Sequence, residues 1–474
     1  MIGAKRILKL LIDAGFEAYI IGGAVRDLLM GKEPHDFDIV TSALPEQVVT
    51  VLETGGIHSL GLVGKSFGVV VTHIDSEQYE IATYRKEVYG EDSHRPESIS
   101  YASTLEEDVR RRDFTVNGIA MDIDGNIIDL VNGRYDIEYK ILRTIGDPKL
   151  RFEEDALRLF RACRFVAKLD FLPHKSLVQA MSSAFHRVNG LALDRVRHEL
   201  NRLMVEPGVA KGLDLLVQSK LGECTCRVVN HGVVQDVPIL PELSHLVDLP
   251  QEKAFHHFDA WYHTLAVVSH TEPDLLLRWA ALLHDVAKGM PTIRAVVNGR
   301  LTDRGHDLMG ADMAYELLTR LGYNKDFASR VSWIVKNHMR FHFFVTHNES
   351  DAVKWARKEA KSGTFRYSES MKEGWLQLAK VCVADVLGCG KENATIDGTM
   401  TFGDCMVAIS ETMPVHTRDL QYDDRLLKAA HDDIGGMLQF LLRQVQDGRV
   451  DNSADALLVA CERRLERLHS IEKK

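Results

Sequence analysis

The stretch IGGAVRDLLMGKEPHDFDI, residues 21–39, decides how the chain is read. A short apolar run, 18–21, leads into Gly22 and Gly23; Arg26 follows, and then two aspartates spaced by one residue, Asp36 and Asp38. Side chains two apart on a strand share a face. Two carboxylates on one face repel each other unless a divalent cation lies between them. Magnesium suits such a pair, above all when phosphate oxygens complete its shell. A Gly-rich turn at a helix start offers N–H groups to phosphate, and Arg26 adds a charge-assisted donor. Either half alone is weak, because Asp-x-Asp and Gly-Gly are common in turns. The order strand, Gly-Gly, Val-Arg-Asp, helix, Asp-x-Asp, strand is far more specific and points to nucleotidyl transfer.

Outward from this run, Glu80 shares a strand face with Ala82 and Tyr84. It is either a third carboxylate for a two-metal site or a solvated edge-strand glutamate. Arg110-Arg111-Arg112-Asp113 precedes an apolar strand, where an Arg-Asp pair can hold a ribose and a phosphate; three arginines in a row are otherwise a solvated face. Residues 153–169 have helical periodicity. On one helix Asp155 and Arg158 are neighbours. Aspartate only accepts hydrogen bonds and arginine only donates, which matches the amine and ring nitrogen of cytosine and adenine and mismatches uracil and guanine. Each unpaired buried polar group costs about 1–3 kcal/mol. The plain alternative is an intrahelical salt bridge, worth roughly 0.2–0.5 kcal/mol. Arg161 and Arg164 continue the row towards triphosphate or RNA.

The segments GGAVRDLLMGKEPHDFD, RRRDFTVNGIA and EEDALRLFRACRF together resemble the class II tRNA nucleotidyltransferase and bacterial poly(A) polymerase family, over roughly residues 15–200. The resemblance implies a polymerase-β-like head followed by a helical neck. It implies that Asp36 and Asp38 bind the magnesium used in catalysis; Glu80 stays the further candidate that its strand face offers. Gly23, Arg26, Arg112 and Asp113 would contact the nucleotide, and Asp155, Arg158, Arg161 and Arg164 would act as an amino-acid template. The family's flexible loop corresponds to residues 87–104, whose presence favours an enzyme that also adds the terminal A. Two segments depart from the family pattern: Val116-Asn117-Gly118-Ile119 replaces the usual Asn-Ala-Leu ending, and Asp129-Leu130-Val131-Asn132-Gly133 the usual Asp-Pro-Phe-Gly-Gly. The implied partners are tRNA, CTP and ATP, with no DNA and no membrane. A poly(A) polymerase of the same family is the nearest alternative.

The chain has 474 residues, room for about three domains, and a globular composition. The expected class is α+β: a nucleotidyltransferase head over 1–141, a helical neck over 142–221, a junction over 222–250, a metal-binding helical domain over 251–390 and a helical tail over 391–474. Within the head, 67–74 with 79–84 and 116–123 with 126–131 read as hairpins, the second turning at Asp124-Gly125. Strand signals fade after residue 142. No apolar run is long enough to span a bilayer and nothing reads as a leader. Seven scattered cysteines lack zinc spacing, so a reducing, cytoplasmic setting is expected. The net charge of −10 argues against a general nucleic-acid binder, though not against a local basic surface.

A second constellation begins in LLRWAALLHDVAKG, where His284 and Asp285 sit in an apolar helical stretch. A buried His-Asp pair is expensive unless it has a partner. With His263 before it and Asp385 after it, the order resembles the HD phosphohydrolase domain. The resemblance adds His306 and His338, implies one or two transition-metal ions, and gives Lys288 a substrate phosphate. Phosphatase or cyclic phosphodiesterase chemistry would follow. His256, His257, His342 and His347 read as surface or structural. From this side comes a rival of another class, a metal-dependent phosphohydrolase with the head as an RNA-binding module. The charged tail, 420–470, reads first as packing on the body and second as a site for the tRNA elbow.

Overall fold

The computed structural model describes residues 1–34, 36–63, 68–75, 77–90, 96–347, 352–392, 394–430 and 433–472. They form two compact units, Met1–Ser244 and His245–Lys474. No helix among them is long and apolar enough to cross a membrane.

The first unit opens with α1 (Ile2–Asp13), β1 (Ala18–Ile21), α2 (Gly23–Leu29), β2 (Phe37–Thr41) and α3 (Pro45–Thr54). Strands β3 (Ser59–Val63), β4 (Val69–Ile74) and β5 (Glu77–Thr83) follow, then β6 (Arg85–Tyr89), β7 (Pro96–Tyr101) and α4 (Leu105–Arg110). Strands β8 (Ile119–Met121) and β9 (Ile127–Asp129) complete a seven-stranded sheet of order β3-β4-β5-β2-β1-β8-β9. Only β2 and β5 pair in parallel; the other neighbours are antiparallel. Ile7, Leu8 and Leu11 of α1 pack with Ile20, Ile39 and Ile81 on one face. Ile21, Val40 and Ala120 face the other, against Leu105 and Val109 of α4. Burial on both faces is why β1 reads as an unbroken apolar run.

Both expected hairpins form, with different bounds. Phe67 lies outside the described residues, and Thr115–Asn117 is a turn of 3-10 helix ahead of β8. The stretch 87–104 is not a plain loop. Its described residues carry most of an antiparallel β6–β7 ribbon, and residues 91–95 lie outside the description. A contact from the end of α4 holds this ribbon: Arg111 Nη1 donates to Glu87 Oε1 at 3.0 Å.

After α5 (Gly133–Glu138) come α6 (Pro148–Glu154), α7 (Leu157–Leu169), α8 (Lys175–Met181), α9 (Phe185–Val188), α10 (Leu193–Met204) and α11 (Val209–Gln218), with a short parallel pairing of β10 (Ile141–Leu142) and β11 (Leu172–Pro173). The single helix expected over 153–169 is two helices. Asp155 is extended (φ −146°, ψ 101°), and its carboxylate accepts the Leu157 N–H at 2.9 Å. A side-chain acceptor for a first-turn N–H starts a helix more favourably than it continues one. The junction stretch contains a ribbon of β12 (Thr225–Asn230) and β13 (Val233–Pro238), turning at His231-Gly232 with both φ positive.

The second unit contains α12 (Ala260–His270), α13 (Leu275–Leu283), a ribbon of β14 (Arg294–Val297) and β15 (Arg300–Asp303), then α14 (His306–Arg320), α15 (Lys325–His347), α16 (Ala352–Lys361), α17 (Ser368–Gly388) and α18 (Asp397–Thr412). Four fully buried tryptophans, Trp261, Trp279, Trp355 and Trp375, fill its interior. The tail helices α19 (Asp424–Ala429), α20 (Ile434–Gln446) and α21 (Ala454–Glu472) close on an apolar cluster of their own, including Leu426, Leu441 and Leu457. Their charges lie on the outer faces.

Candidate active site

Alternation along β2 sorts the first site. Phe37 and Ile39 enter the core, while Asp36 and Asp38 turn away from it; Asp38 keeps solvent access, but protein atoms crowd its carboxylate on the cleft side. The parallel register with β5 sets Glu80 opposite Asp38, and Asp36 lies close enough to act on the Asp38 charge, so three carboxylates gather on one face of the sheet interior to its edges. The Asp38 carboxyl is raised above its ordinary range. Desolvation is the largest cause, opposed by Arg112 and reinforced by Glu80 and Asp36. A cation between these groups relieves that repulsion. Gly22 has φ +78° and ψ −127°, a conformation open to glycine alone. A β-carbon there would stand 3.7 Å from Arg112 Nη1 and 3.9 Å from Asp38 Oδ2. The turn therefore brings backbone, arginine and carboxylate to one point.

Beyond the turn opens a cleft of about 500 Å³, lined by nine cationic side chains and four carboxylates. It is a local basic surface on an acidic chain. Its cations are held in a relay of hydrogen bonds. Arg26 is 2% exposed; its Nη1 donates to Asn117 Oδ1 at 2.6 Å. Asn117 Nδ2 donates to Asp113 Oδ1 at 3.1 Å, and Asp113 Oδ2 accepts from Arg161 Nε at 2.9 Å. Burial would raise the Asp113 carboxyl, but Arg161, Asn117 and the Phe114 N–H bring it down to about 2. Both of its oxygens are engaged by protein donors, so its place in the site is to set Arg161. Arg164 donates to Glu199 Oε2 at 2.6 Å and lies over the Phe165 ring, 4.4 Å from its centre. Arg112 is set by the fully buried Asp108, through bonds of 3.1 and 3.0 Å.

Asp155 and Arg158 both line this cleft, but not as an intrahelical pair of neighbours. Asp155 stands in the break between α6 and α7. Arg158 turns back across it: Nη1 donates to Glu154 Oε2 at 2.7 Å and to the Arg151 carbonyl at 3.0 Å, and Nη2 to the Arg111 carbonyl at 2.9 Å. Desolvation raises the Asp155 carboxyl to about 6 against the pull of Arg158. Lys168, Arg202 and Phe165 also line the cleft and were not among the expected residues. Lys168 extends the Arg161–Arg164 row by one more helical step, a signal the periodicity carried. Arg202 comes from α10 and had no such signal.

The second constellation assembles in the second unit. His263 Nε2 lies 3.3 Å from His284 Nε2, 3.4 Å from Asp285 Oδ2 and 3.1 Å from Asp385 Oδ1. His306 Nε2 lies 3.1 Å from Asp285 Oδ1 and 3.3 Å from His338 Nε2. Two donor triples result, His263–His284–Asp385 and Asp285–His306–His338, with Asp285 facing both. All four histidines turn Nδ1 to a backbone carbonyl, those of Gly388, Ala281, Asp303 and Val335, at 2.6–3.1 Å. A carbonyl only accepts, so each Nδ1 carries the proton and each Nε2 presents a lone pair inward. Burial would raise Asp285 and Asp385; adjacent imidazoles, and Lys288 at Asp285, hold both well below the usual range. Asp285 Oδ2 is buried with no aligned hydrogen-bond donor, although Lys288 Nζ stands 2.6 Å away. A buried carboxylate oxygen whose one cationic neighbour is Lys288, set among inward lone pairs, fits divalent metal.

Two histidines read as surface or structural belong beside this centre. His342 Nε2 lies 2.9 Å from Asp385 Oδ2, and His256 packs on His263 with ring centres 4.6 Å apart. His342 follows His338 by one helical turn of α15, which is why both reach one point. The β14–β15 ribbon, unforeseen despite its Asn298-Gly299 turn, supplies Leu301 and Thr302 to the wall of the cavity.

The pattern of the poly A polymerase head domain matches residues 18–143, that of the probable RNA and SrmB-binding site of polymerase A matches 170–224, and that of the HD domain matches 260–359. A CCA-adding enzyme of Lactobacillus helveticus is 39% identical over 226 residues, 47% of this chain and 54% of that one. One from Lactobacillus johnsonii is 34% identical over 282 residues, 56% of this chain and 68% of that one. The chain thus spans about half the length of the first relative and two thirds of the second. The crystal structure of the Bacillus stearothermophilus CCA-adding enzyme in complex with CTP has the same fold, with TM-score 0.67 and 24% identity over 99% of this chain and 98% of that one. With its head, its neck and its sequence likeness in agreement, the chain belongs to the CCA-adding enzyme family.

Proposed function

We propose that the protein adds or repairs the 3′-terminal CCA of tRNA, without a nucleic-acid template, from CTP and ATP. The observation that carries this reading is that Asp38, with Glu80 as its register partner and Asp36 close enough to act on its charge, lines the same cleft as Asp155 and Arg158. Asp36 and Asp38 would hold magnesium, with Glu80 beside them; when bound, the ion supplies positive charge to the α-phosphate and the attacking hydroxyl. The turn at Gly22-Gly23, with Arg26 and Arg112, receives the triphosphate. Arg161 and Arg164, pre-set by Asp113 and Glu199, balance its charge. The RNA 3′ hydroxyl attacks the α-phosphate in line and pyrophosphate leaves. Asp155 accepts from the base amine while Arg158 donates to the ring nitrogen. For Arg158 this requires release of one backbone carbonyl. The Bacillus stearothermophilus relative, whose structure holds CTP, supports CTP as a substrate. The test is incubation of tRNA lacking CCA, and of tRNA ending in CC, with each nucleotide separately. Incorporation of C onto the first and a single A onto the second is expected; A-tailing without C would favour a poly(A) polymerase.

A second activity is favoured by the inward imidazole set. We infer a two-ion centre of transition metals at His263, His284, Asp285, His306, His338 and Asp385, hydrolysing a phosphate ester. Lys288, held by Gln251 Oε1 at 2.8 Å, faces the cavity as the phosphate-binding cation. Release of phosphate or opening of a cyclic phosphate by a protein with Asp38→Ala separates this activity from the first. The free cysteines and the substrate fit a reducing cytoplasm.

A further inference from the structure

Beside the two triples stands a third. The ligand atoms of His256, His263 and Cys389 all lie within 4.8 Å of one another. Three separate elements build it. His263 is on α12. Cys389 closes α17 one turn beyond Asp385, its N–H donating to the Asp385 carbonyl at 3.2 Å. His256 comes from the segment ahead of α12, anchored where the His257 N–H donates to the Cys389 carbonyl at 3.0 Å. His256 Nδ1 is 3.7 Å from Cys389 Sγ. Both residues line the same cavity of about 640 Å³ as the two-ion centre, so an ion entering that cavity meets them.

The donor chemistry differs from that of the centre. The first two triples offer imidazole and carboxylate; the third adds sulfur. A thiolate prefers zinc, cadmium or copper(I) to magnesium or manganese. His263 also belongs to two triples at once. Its Nδ1 is committed to the Gly388 carbonyl at 3.1 Å, which leaves Nε2 as its only free lone pair. One lone pair serves one ion, so filling the third triple withdraws His263 from the first.

We propose that His256, His263 and Cys389 form a third metal position, selective for thiophilic ions, whose occupancy excludes an ion from the His263–His284–Asp385 position. An excess of such an ion therefore acts as a brake on the HD centre. The proposal rests on that centre holding metal, and the test separates the two.

The full chain is stripped with a chelator and titrated with cobalt(II). Cadmium(II) is then added. Two cobalt ions are expected per chain. Cadmium should then displace one of them and produce the near-ultraviolet cadmium–thiolate band. In Cys389→Ser two cobalt ions should still bind, with no cadmium–thiolate band and no displacement. Cys224→Ser, which alters a cysteine of the other unit, should behave as the unaltered protein. A band that persists in Cys389→Ser, the absence of a band in the unaltered protein, or cadmium binding without loss of cobalt overturns the proposal. Failure of cobalt to bind either protein instead overturns the two-ion centre itself.

Discussion

Asp38 and Glu80 stand opposite each other on the parallel strands β2 and β5, register partners although 42 positions separate them. Asp38→Ala should abolish nucleotide addition, a loss on the order of 10³-fold or more, since metal-held charge stabilises the transition state by several kcal/mol. Glu80→Gln should slow addition by roughly tenfold and raise the magnesium concentration needed for half-maximal rate. Single-turnover incorporation against magnesium concentration checks both. The edge-strand reading of Glu80 does not hold, since β5 pairs with β4 on one side and β2 on the other; a Glu80→Gln protein with unchanged rate and magnesium response would leave Glu80 a solvated residue on the sheet face.

Asp155 carries a pH signature. Its folded-state carboxyl, at about 6, lies above the ordinary 3.8 because burial disfavours the charge. Ionised Asp155 therefore destabilises the fold at neutral pH. The penalty falls as pH drops through about 6 and disappears below about 4. Asp155→Asn keeps an oxygen for the Leu157 N–H and removes the charge, so it should stabilise the protein at pH 7.5 by about 3 kcal/mol at most. The same change places a donor where the base amine needs an acceptor. Discrimination of CTP over UTP should fall by about tenfold, the worth of one mispaired polar group. Melting curves at pH 7.5 and 5, with misincorporation ratios, check the two effects together.

Asp113 has the opposite sign. Its carboxyl is depressed to about 2, chiefly by Arg161 in opposition to burial. The ionised form stabilises the fold above about pH 4 by roughly 2 kcal/mol, and the contribution is lost as pH falls through 2. Asp113→Ala leaves Arg161 and Asn117 without their shared acceptor, and breaking such a buried pair costs about 3–5 kcal/mol. Urea unfolding should show this loss. The KM for both nucleotides should rise, because Arg161 is no longer pre-set.

In the second unit, Asp285→Ala removes the carboxylate that faces both triples and should lower bound transition metal from two ions to fewer than one. His338→Ala touches one triple and should lower it to one. Neither change should alter incorporation of C or A, since the carboxylates proposed for nucleotidyl transfer lie in the other unit. Metal analysis of the dialysed variants beside primer-extension rates tests this directly.

Much of this was legible along the chain. Glycine at position 22, alternation at Phe37, Asp38 and Ile39, and the apolar run 18–21 are local signals, and each produced the turn or strand it announced. His263 also lies inside an apolar helix as read, whereas His284 and Asp285, read as part of one, stand in the turn just past the end of α13. What failed were readings in which a side chain had a second use. Asp155 and Arg158 have helical spacing, but the Asp155 carboxylate caps α7 and breaks the helix that would have paired them. Residues 87–104 look polar and loop-like, but Glu87 meets Arg111 and part of the stretch becomes a ribbon. His342 reads as surface or structural, but α15 sets it one turn from His338 and against Asp385.

Residue type and short spacing along the chain announced which chemical groups it offers: carboxylate pairs, a glycine turn and histidines in apolar surroundings. Only the tertiary structure decided the partners. It put Glu80 beside Asp38 through strand register, and it linked Arg26 to Arg161 through Asn117 and Asp113. It also turned four Nε2 atoms inward by giving each Nδ1 a carbonyl. The physical reason is that buried charge is tolerated only when its partners are close and aligned. That alignment depends on contacts between elements far apart in the chain, which local spacing does not encode.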